Sequence, residues 1–262
     1  MTSIYIALVL VSGYLFAVIS PKARYRYKRS DGWDAYFYVA ACGVFFVACG
    51  WLLSSALSYY GFLHWLANIF GVDRESVARF VPVNDEAVSI STLKIAAWGI
   101  TSIIISMMFG LLNKFRFMHP ITRSNWLSEK TKSNPEESLL VYAASTRFPV
   151  IATLSSRKVY IGLVTMPALE NGTIEHLELF PFLSGYRHKD ELTLHLTTNY
   201  YEHYKRRSLA SSKTPPDYLT LDDFRIVIPT SEIETISLFD RRTYNDFKQQ
   251  EETDKLRGSM LD

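Results

Sequence analysis

The chain has 262 residues, and its 28 basic side chains exceed its 26 acidic side chains by only two. Hydrophobic residues make up 48% of the chain, but residues 1–112 hold only 8 of the basic and 6 of the acidic residues. The remaining part has no net charge, which argues against a nucleic-acid partner, because nucleic-acid-binding domains usually carry a basic surface. Two cysteines are too few for a disulfide scaffold or a four-cysteine zinc site.

Three apolar segments predict transmembrane helices at about 3–20, 35–59 and 90–112. A membrane core needs about 20 helical residues, and backbone groups in lipid must pair within their own segment. No basic stretch precedes the first segment, so we expect an uncleaved anchor and not a signal peptide. In the loop at 60–87, the motif GFLHWLANIFGV predicts a short interfacial helix, with a re-entrant segment as the alternative.

Basic residues predict the orientation of these segments, because loops rich in Lys and Arg stay in the cytoplasm. The loop at 60–87 has two basic and four acidic residues, whereas residues 21–33 include five basic ones. We therefore expect a multi-pass protein of the bacterial inner membrane, with its N-terminus outside and its C-terminus in the cytoplasm. The five basic residues are Lys22, Arg24, Arg26, Lys28 and Arg29.

These five side chains would lie at the inner surface of the bilayer. Attraction to anionic lipid is worth about 1 kcal/mol per basic residue there. A topology signal alone is also sufficient to explain them. The lipid bilayer is therefore the first partner that the sequence predicts.

Small residues in the second and third segments predict where helices approach closely, because small side chains let two backbones come together. We expect this packing to lie within one three-helix bundle. A seam between copies of the chain, in a homo-oligomer or a pore, is the alternative. The residues concerned are Cys42, Gly43, Cys49, Gly50, Gly99, Ser102, Ser106 and Gly110.

The C-terminal half changes from linker to strand patterns. Residues 113–148 predict a polar linker and a short helix capped by Asn134. Between 149 and 242, five or six short alternating runs are separated by turn residues such as Asn171-Gly172. The insertion at 197–223 has a Ser- and Pro-rich centre that predicts a loop, and residues 243–262 form a charged tail. Such a meander must close or pack on itself, because a lone sheet exposes its edges.

Two stretches carry a resemblance to known folds. VIATLSSRKVYIGLV, at 150–164, resembles the bent opening hairpin of SH3-like and Sm-like small barrels, and FRIVIPTSEIETISLFD, at 224–240, resembles their closing segment. The resemblance implies a mainly β, barrel-like domain over 149–242, and the basic residues place that domain in the cytoplasm, behind a transmembrane domain over 1–112. The insertion at 197–223 departs from a minimal barrel. The whole arrangement also resembles uncharacterised bacterial inner-membrane proteins with a few helices and a C-terminal β domain.

Motifs that carry chemistry are missing: the chain has no P-loop, GxGxxG, GxSxG or HExxH motif. We therefore expect no catalytic activity, no metal and no cofactor. Glu175, His176, Glu178 and His195 are the residues that could converge as an acid–base or metal set. The simpler interpretation is a solvated face of the sheet, since the two faces of a strand alternate in polarity.

The first functional hypothesis is a non-enzymatic, membrane-anchored module whose cytoplasmic domain binds a protein partner for sensing, regulation or scaffolding. The second is a channel-like oligomer, because small mechanosensitive channels share three helices, an exported N-terminus and an Sm-like domain. A membrane effector in phage defence is the third.

Overall fold

The computed structural model describes residues 2–59, 86–206 and 221–258. The chain divides into two compact units. A helical unit contains residues 1–122 with 170–172, and a mainly β unit contains residues 123–169 and 173–262. The interfacial helix predicted at 61–72 lies outside the described residues.

Four helices of the helical unit lie within the described residues. Two of them contain segments that are long and apolar enough to cross a membrane, at Trp33–Leu57 and Trp98–Met118. A third candidate span is added if Tyr5–Ile19 and Pro21–Arg29, which meet at 106°, are counted as one. The prediction of membrane-type helices ahead of a β domain is confirmed at this level. The helices are α1 (Thr2–Ile19), α2 (Pro21–Arg29), α3 (Trp33–Tyr59) and α4 (Glu86–Met118).

The basic segment after α1 forms helix α2. Ser20 is extended, with ψ at 119°, and Pro21 occupies the first turn of the new helix, where its missing N–H costs nothing. The Nε of Arg24 donates a hydrogen bond of 2.7 Å to the carbonyl of Val18. One otherwise unpaired carbonyl at the end of α1 is thereby satisfied, which stabilises the bend.

Helices α1 and α3 cross at two glycines. A Cβ atom on Gly13 would overlap the carbonyl oxygen of Val39 and would lie 2.7 Å from the nitrogen of Gly43. A Cβ atom on Gly43 would overlap the carbonyl of Val9. Ala17, one turn beyond Gly13, is fully buried. The two backbones are therefore in contact at a distance that only glycine permits.

The β unit is built on one antiparallel sheet. Its described strands are β1 (Val150–Leu154), β2 (Lys158–Val164), β3 (His176–Arg187), β4 (Leu194–Asn199), β5 (Ile226–Pro229) and β6 (Ile233–Leu238). The strand order is β4–β3–β2–β1–β6, with β5 paired to the first half of β3. A 3-10 turn, Thr230–Glu232, joins β5 to β6.

In the described part of the β unit, four more helices accompany the sheet. They are α5 (Pro120–Lys130), α6 (Pro135–Thr146), α7 (Tyr200–Arg206) and α8 (Arg241–Gly258). The predicted cap of α6 is present, because the side-chain oxygen of Asn134 accepts a bond from the amide of Glu137. Leu140 and Ala143 of α6 then pack into a core formed with strands β1, β2, β3 and β5. Burial of this apolar face holds α6 on the sheet.

The sheet is not a closed barrel. Strands β4, β5 and β6 each pair with a single strand among the described residues, and no ladder joins β4 or β5 to β6 to close the sheet. The insertion explains part of the difference from a minimal barrel. Strand β3 is 12 residues long, and it pairs with β5 along its first half but with β4 along its second half.

The turn predicted at Asn171-Gly172 does not directly separate two strands. Segment 166–170 forms no strand, and β2 pairs directly with β3 from Lys158↔Tyr186 to Val164↔Leu179. A short 3-10 turn at Leu169–Asn171 lies between them. Pro167 disfavours a strand in segment 166–170, since proline cannot donate to a strand ladder.

Helices also occupy part of the predicted linker at 113–148 and part of the charged tail at 243–262. Helix α4 continues to Met118, and Pro120 begins α5, on which Leu127 is fully buried. The charged tail forms α8, because Asp240 accepts bonds of 2.9 Å and 2.8 Å from the amide and hydroxyl of Thr243 at its start.

The glycine crossing can be tested with Gly43→Leu. We expect a loss of stability of about 1–3 kcal/mol, because the new side chain overlaps backbone that cannot move aside. Helix propensity acts in the opposite direction, since leucine favours a helix over glycine by nearly 1 kcal/mol. The matched control is Val44→Leu, at a neighbouring position that is 59% exposed. Thermal unfolding of the full chain in detergent is the measurement, and equal unfolding temperatures for the two variants would contradict the close packing.

Candidate functional site

Strand β4 is an open edge of the sheet. It pairs with β3 from Leu183↔Asn199 to Arg187↔Leu194, and no second strand pairs with it in the part of the chain that the structure describes. Beyond Leu194, every side chain of β4 is exposed. The outer edge therefore presents backbone donors and acceptors with which another extended segment can pair.

A groove of about 500 Å³ lies between β4 and α8, and we call it the edge groove. Part of its lining is apolar and belongs to a small core that includes the buried Val159 and Ile161. Its charged lining residues, Arg241 and Lys248, are both basic. The apolar lining residues shared with that core are Leu183, Leu194, Phe239 and Tyr244. An apolar side chain flanked by acidic groups fits such a surface.

Helix α7 fixes the end of β4. The ring of Tyr204 is 3% exposed, and its hydroxyl donates a bond of 3.0 Å to the carbonyl of Pro181 in β3. The same ring lies 5.1 Å from the ring of Phe224. Burial, followed by the nearby Tyr200, raises the pKa of Tyr204 to about 12. The hydroxyl therefore stays protonated at neutral pH and serves as a donor.

The start of α8 fixes the other wall of the edge groove. The bonds from the amide and hydroxyl of Thr243 lower the pKa of Asp240. The charged carboxylate also lies at the positive end of the helix, which favours it. Phe239, directly before the cap, is buried and packs 5.7 Å from Tyr244 in the first turn of α8. The helix is thus held beside β4 at its N-terminal end.

Most of the predicted helix-packing residues lie between helices of the helical unit. Gly50 faces Ser102, whose Cβ would be 2.9 Å from a Cβ on the glycine. Gly99 faces Leu8, and Gly110 faces Ile19. The remaining positions are Gly43 against Val9, Ser102 and Ser106 fully buried, and Cys42 and Cys49 half-buried as free thiols.

The five basic residues of α2 fall into two groups. The exposed ones are Lys22, Arg26 and Lys28, and the half-buried ones are Arg24 and Arg29. The guanidinium of Arg29 lies 4.2 Å from the centre of the Tyr25 ring and donates a 3.1 Å bond to its hydroxyl. Arg26 lies 4.9 Å from the centre of the Tyr38 ring.

The acid–base candidates do not converge. His176 pairs with Pro229, whereas His195 pairs with Tyr186 at the other end of β3. Glu178 instead forms an ion pair of 3.2 Å with Arg225. Within the described residues, no group of three His, Cys, Asp or Glu side chains is placed to hold a metal ion.

Sequence reasoning missed two features. The first is Gly13, which is not among the predicted packing residues, although Gly13 and Ala17 form a small-xxx-small pair in the first segment, a known signal of close packing. The edge groove has no comparable sequence signal, because its lining residues come from β3, β4 and α8 and meet only in the folded chain.

The buried hydroxyl of Tyr204 can be tested with Tyr204→Phe. We expect a loss of about 1 kcal/mol at pH 8, because the carbonyl of Pro181 loses its donor. Unfolded tyrosine ionises near pH 10, and a raised folded pKa gives stability that is present below that pH and lost between about 10 and 12. The advantage of the wild type should therefore shrink above pH 10.

The measurement is unfolding of the full chain in detergent from pH 8 to pH 11. Tyr201→Phe is the matched control, since Tyr201 is more than half exposed on the same helix. A difference between wild type and Tyr204→Phe that stays constant with pH would contradict the assignment.

Comparison of the chain with protein-family models, with curated protein sequences and with solved structures finds no match. Similarity to known proteins therefore assigns the chain neither a family nor a related fold. Any function assigned to the protein has to follow from the geometry of its own two units.

Proposed function

We propose that the protein is a non-enzymatic, membrane-anchored interaction module. Its helices hold it in a bacterial inner membrane, and its β unit binds a protein partner in the cytoplasm. The observation that carries the proposal is the open strand β4 beside the edge groove.

An extended peptide is the partner that this surface favours. Backbone pairing to a free strand edge supplies affinity, and pockets beside the strand select side chains. The groove has the volume of a small ligand site. Its two basic lining residues favour a segment in which acidic residues flank an apolar one.

The β unit fits a modified small barrel of the SH3/Sm-like type. Three consecutive strands form a meander, and β5, a 3-10 turn and β6 return the chain to β1. In this proposal β4 and α7 belong to an insertion between β3 and β5. The insertion then supplies the binding edge that a minimal barrel lacks.

An anchor is favoured over a pore by how the helices use their small residues. Gly13, Gly43 and Gly50 all meet backbone or side-chain atoms of helices in the same chain. A pore seam would need such positions to face another copy.

The proposed orientation is tested with reporters fused at two positions in the full chain. A reporter near residue 85 should be exported, and one at residue 262 should be cytoplasmic. The reason is that a segment rich in Lys and Arg, such as α2, stays on the cytoplasmic side of the membrane. Activity-dependent reporters for the periplasm and the cytoplasm provide the measurement. As the control, these five residues are changed to glutamine, which removes the topology signal. An exported C-terminus would refute the orientation.

The edge groove is tested by photo-crosslinking in intact cells. A photoreactive residue at Thr197, which lines the groove, should give one discrete adduct, and the same residue at Tyr142, exposed on α6, should not. Lys248→Glu should remove the adduct by reversing the charge at the groove. Arg242→Glu is the matched control, since Arg242 is exposed on α8 but does not line the groove. An adduct that survives Lys248→Glu as well as it survives Arg242→Glu would count against the proposed site.

A further inference from the structure

A second groove, of about 630 Å³, lies within the helical unit, and we call it the aromatic groove. One end is lined by Arg26, Asp34 and Tyr38. The rest of its wall is largely phenylalanine from α1, α3 and α4. A charged end and an apolar length correspond to the two parts of a phospholipid.

The dimensions of the aromatic groove match one leaflet. Its lining residues on α3 run from Asp34 to Phe46, a distance of about 18 Å at 1.5 Å per residue. Half of a bilayer's hydrocarbon core is about 15 Å thick. An acyl chain can therefore lie along α3 while its headgroup remains at the level of α2.

The charged end carries both signs. Arg26 is exposed, and the Tyr38 ring holds its guanidinium from one side. Asp34 is exposed in the first turn of α3. A guanidinium binds phosphate oxygens through several N–H donors, and a carboxylate accepts hydrogen bonds from a primary ammonium.

We propose that the aromatic groove binds an aminophospholipid, with the phosphate on Arg26, the primary ammonium on Asp34 and an acyl chain along the phenylalanines. A choline headgroup carries the same charges but has no N–H to donate to the carboxylate. A glycerol headgroup has no cation for Asp34. The site therefore selects phosphatidylethanolamine over phosphatidylcholine and phosphatidylglycerol.

A neighbouring groove gives the contrast. It has about 590 Å³ and lies among α1, α2 and α3, where Tyr14, Tyr27 and Tyr36 are among its lining residues. None of the described residues that line it is charged. It can accept an acyl chain, but it has no charged group with which to distinguish headgroups.

The experiment uses the full chain, purified in detergent and offered each of the three phospholipids separately, with bound lipid counted by native mass spectrometry. Loss of one charge-assisted hydrogen bond corresponds to roughly tenfold in affinity. We expect phosphatidylethanolamine to bind about tenfold more tightly than phosphatidylcholine. Equal binding of the two lipids would overturn the proposal.

Charge variants assign the two ends of the headgroup. Arg26→Gln should weaken all three lipids, because each has a phosphate. Asp34→Asn should remove the preference for phosphatidylethanolamine and leave phosphatidylcholine binding unchanged. The matched controls, Lys22→Gln and Asp31→Asn, change exposed residues that do not line the groove and should have no effect. An Asp34→Asn variant that behaves like Asp31→Asn would overturn the assignment of the ammonium.

Two variants with bulky side chains locate the acyl chain of the bound lipid. Ala41→Phe should reduce binding of every lipid by filling the groove, and Val44→Phe, on the same helix but outside the lining, should not. Equal effects of the two would refute this location.

The proposal rests on the membrane anchoring proposed above but not on the protein partner. Incorporation of the wild type and all variants into lipid nanodiscs tests the anchoring separately. Failure to incorporate would refute the anchor, whereas incorporation without headgroup preference would refute only the lipid site.

Discussion

The contact between Gly13 and Gly43 is the constraint on which the helical unit depends. Lipid gives helices no hydrophobic reason to associate, so their association relies on close van der Waals packing. With the two backbones touching here, α1 and α3 are fixed relative to each other at about their midpoints. Helix α2 connects their ends, so the same contact determines where its basic side chains lie. The charged end of the aromatic groove is a consequence of that geometry.

Four buried serines of the helical unit satisfy their hydroxyls within their own helix. The hydroxyls of Ser12, Ser54, Ser102 and Ser106 each donate to the carbonyl three residues earlier in their own helix. These bonds need no partner from another element, which suits a helix in a medium without water. The serines therefore act as small packing residues at little polar cost, and the helices can approach along them.

The β unit handles its backbone polar groups differently. Strands β1, β2 and β3 have a partner on both sides, whereas β4, β5 and β6 each have one partner among the described residues, and of these β4 lies beside the edge groove. Natural sheets usually protect such edges. Here Tyr204 and Asp240 use buried or capping hydrogen bonds to hold α7 and α8 beside the edge. A strand that is rigidly held and still open is suited to pair with another segment, which is the basis of the proposed function.

Sequence by itself determined the elements whose signals are local. Long uncharged runs indicated the helices, Asn134 marked the start of α6, and alternating runs such as 150–154 and 159–164 indicated β1 and β2, because periodicity and capping act within a few residues.

The sequence by itself did not determine which strands pair. Strand β3 divides between β5 and β4, and the expected turn at Asn171-Gly172 joins no hairpin, because ladder partners compete across the whole unit. Both grooves were likewise decided by tertiary structure: Arg26 and Asp34 meet phenylalanines of three helices, and Lys248 meets β4, only once distant segments have packed.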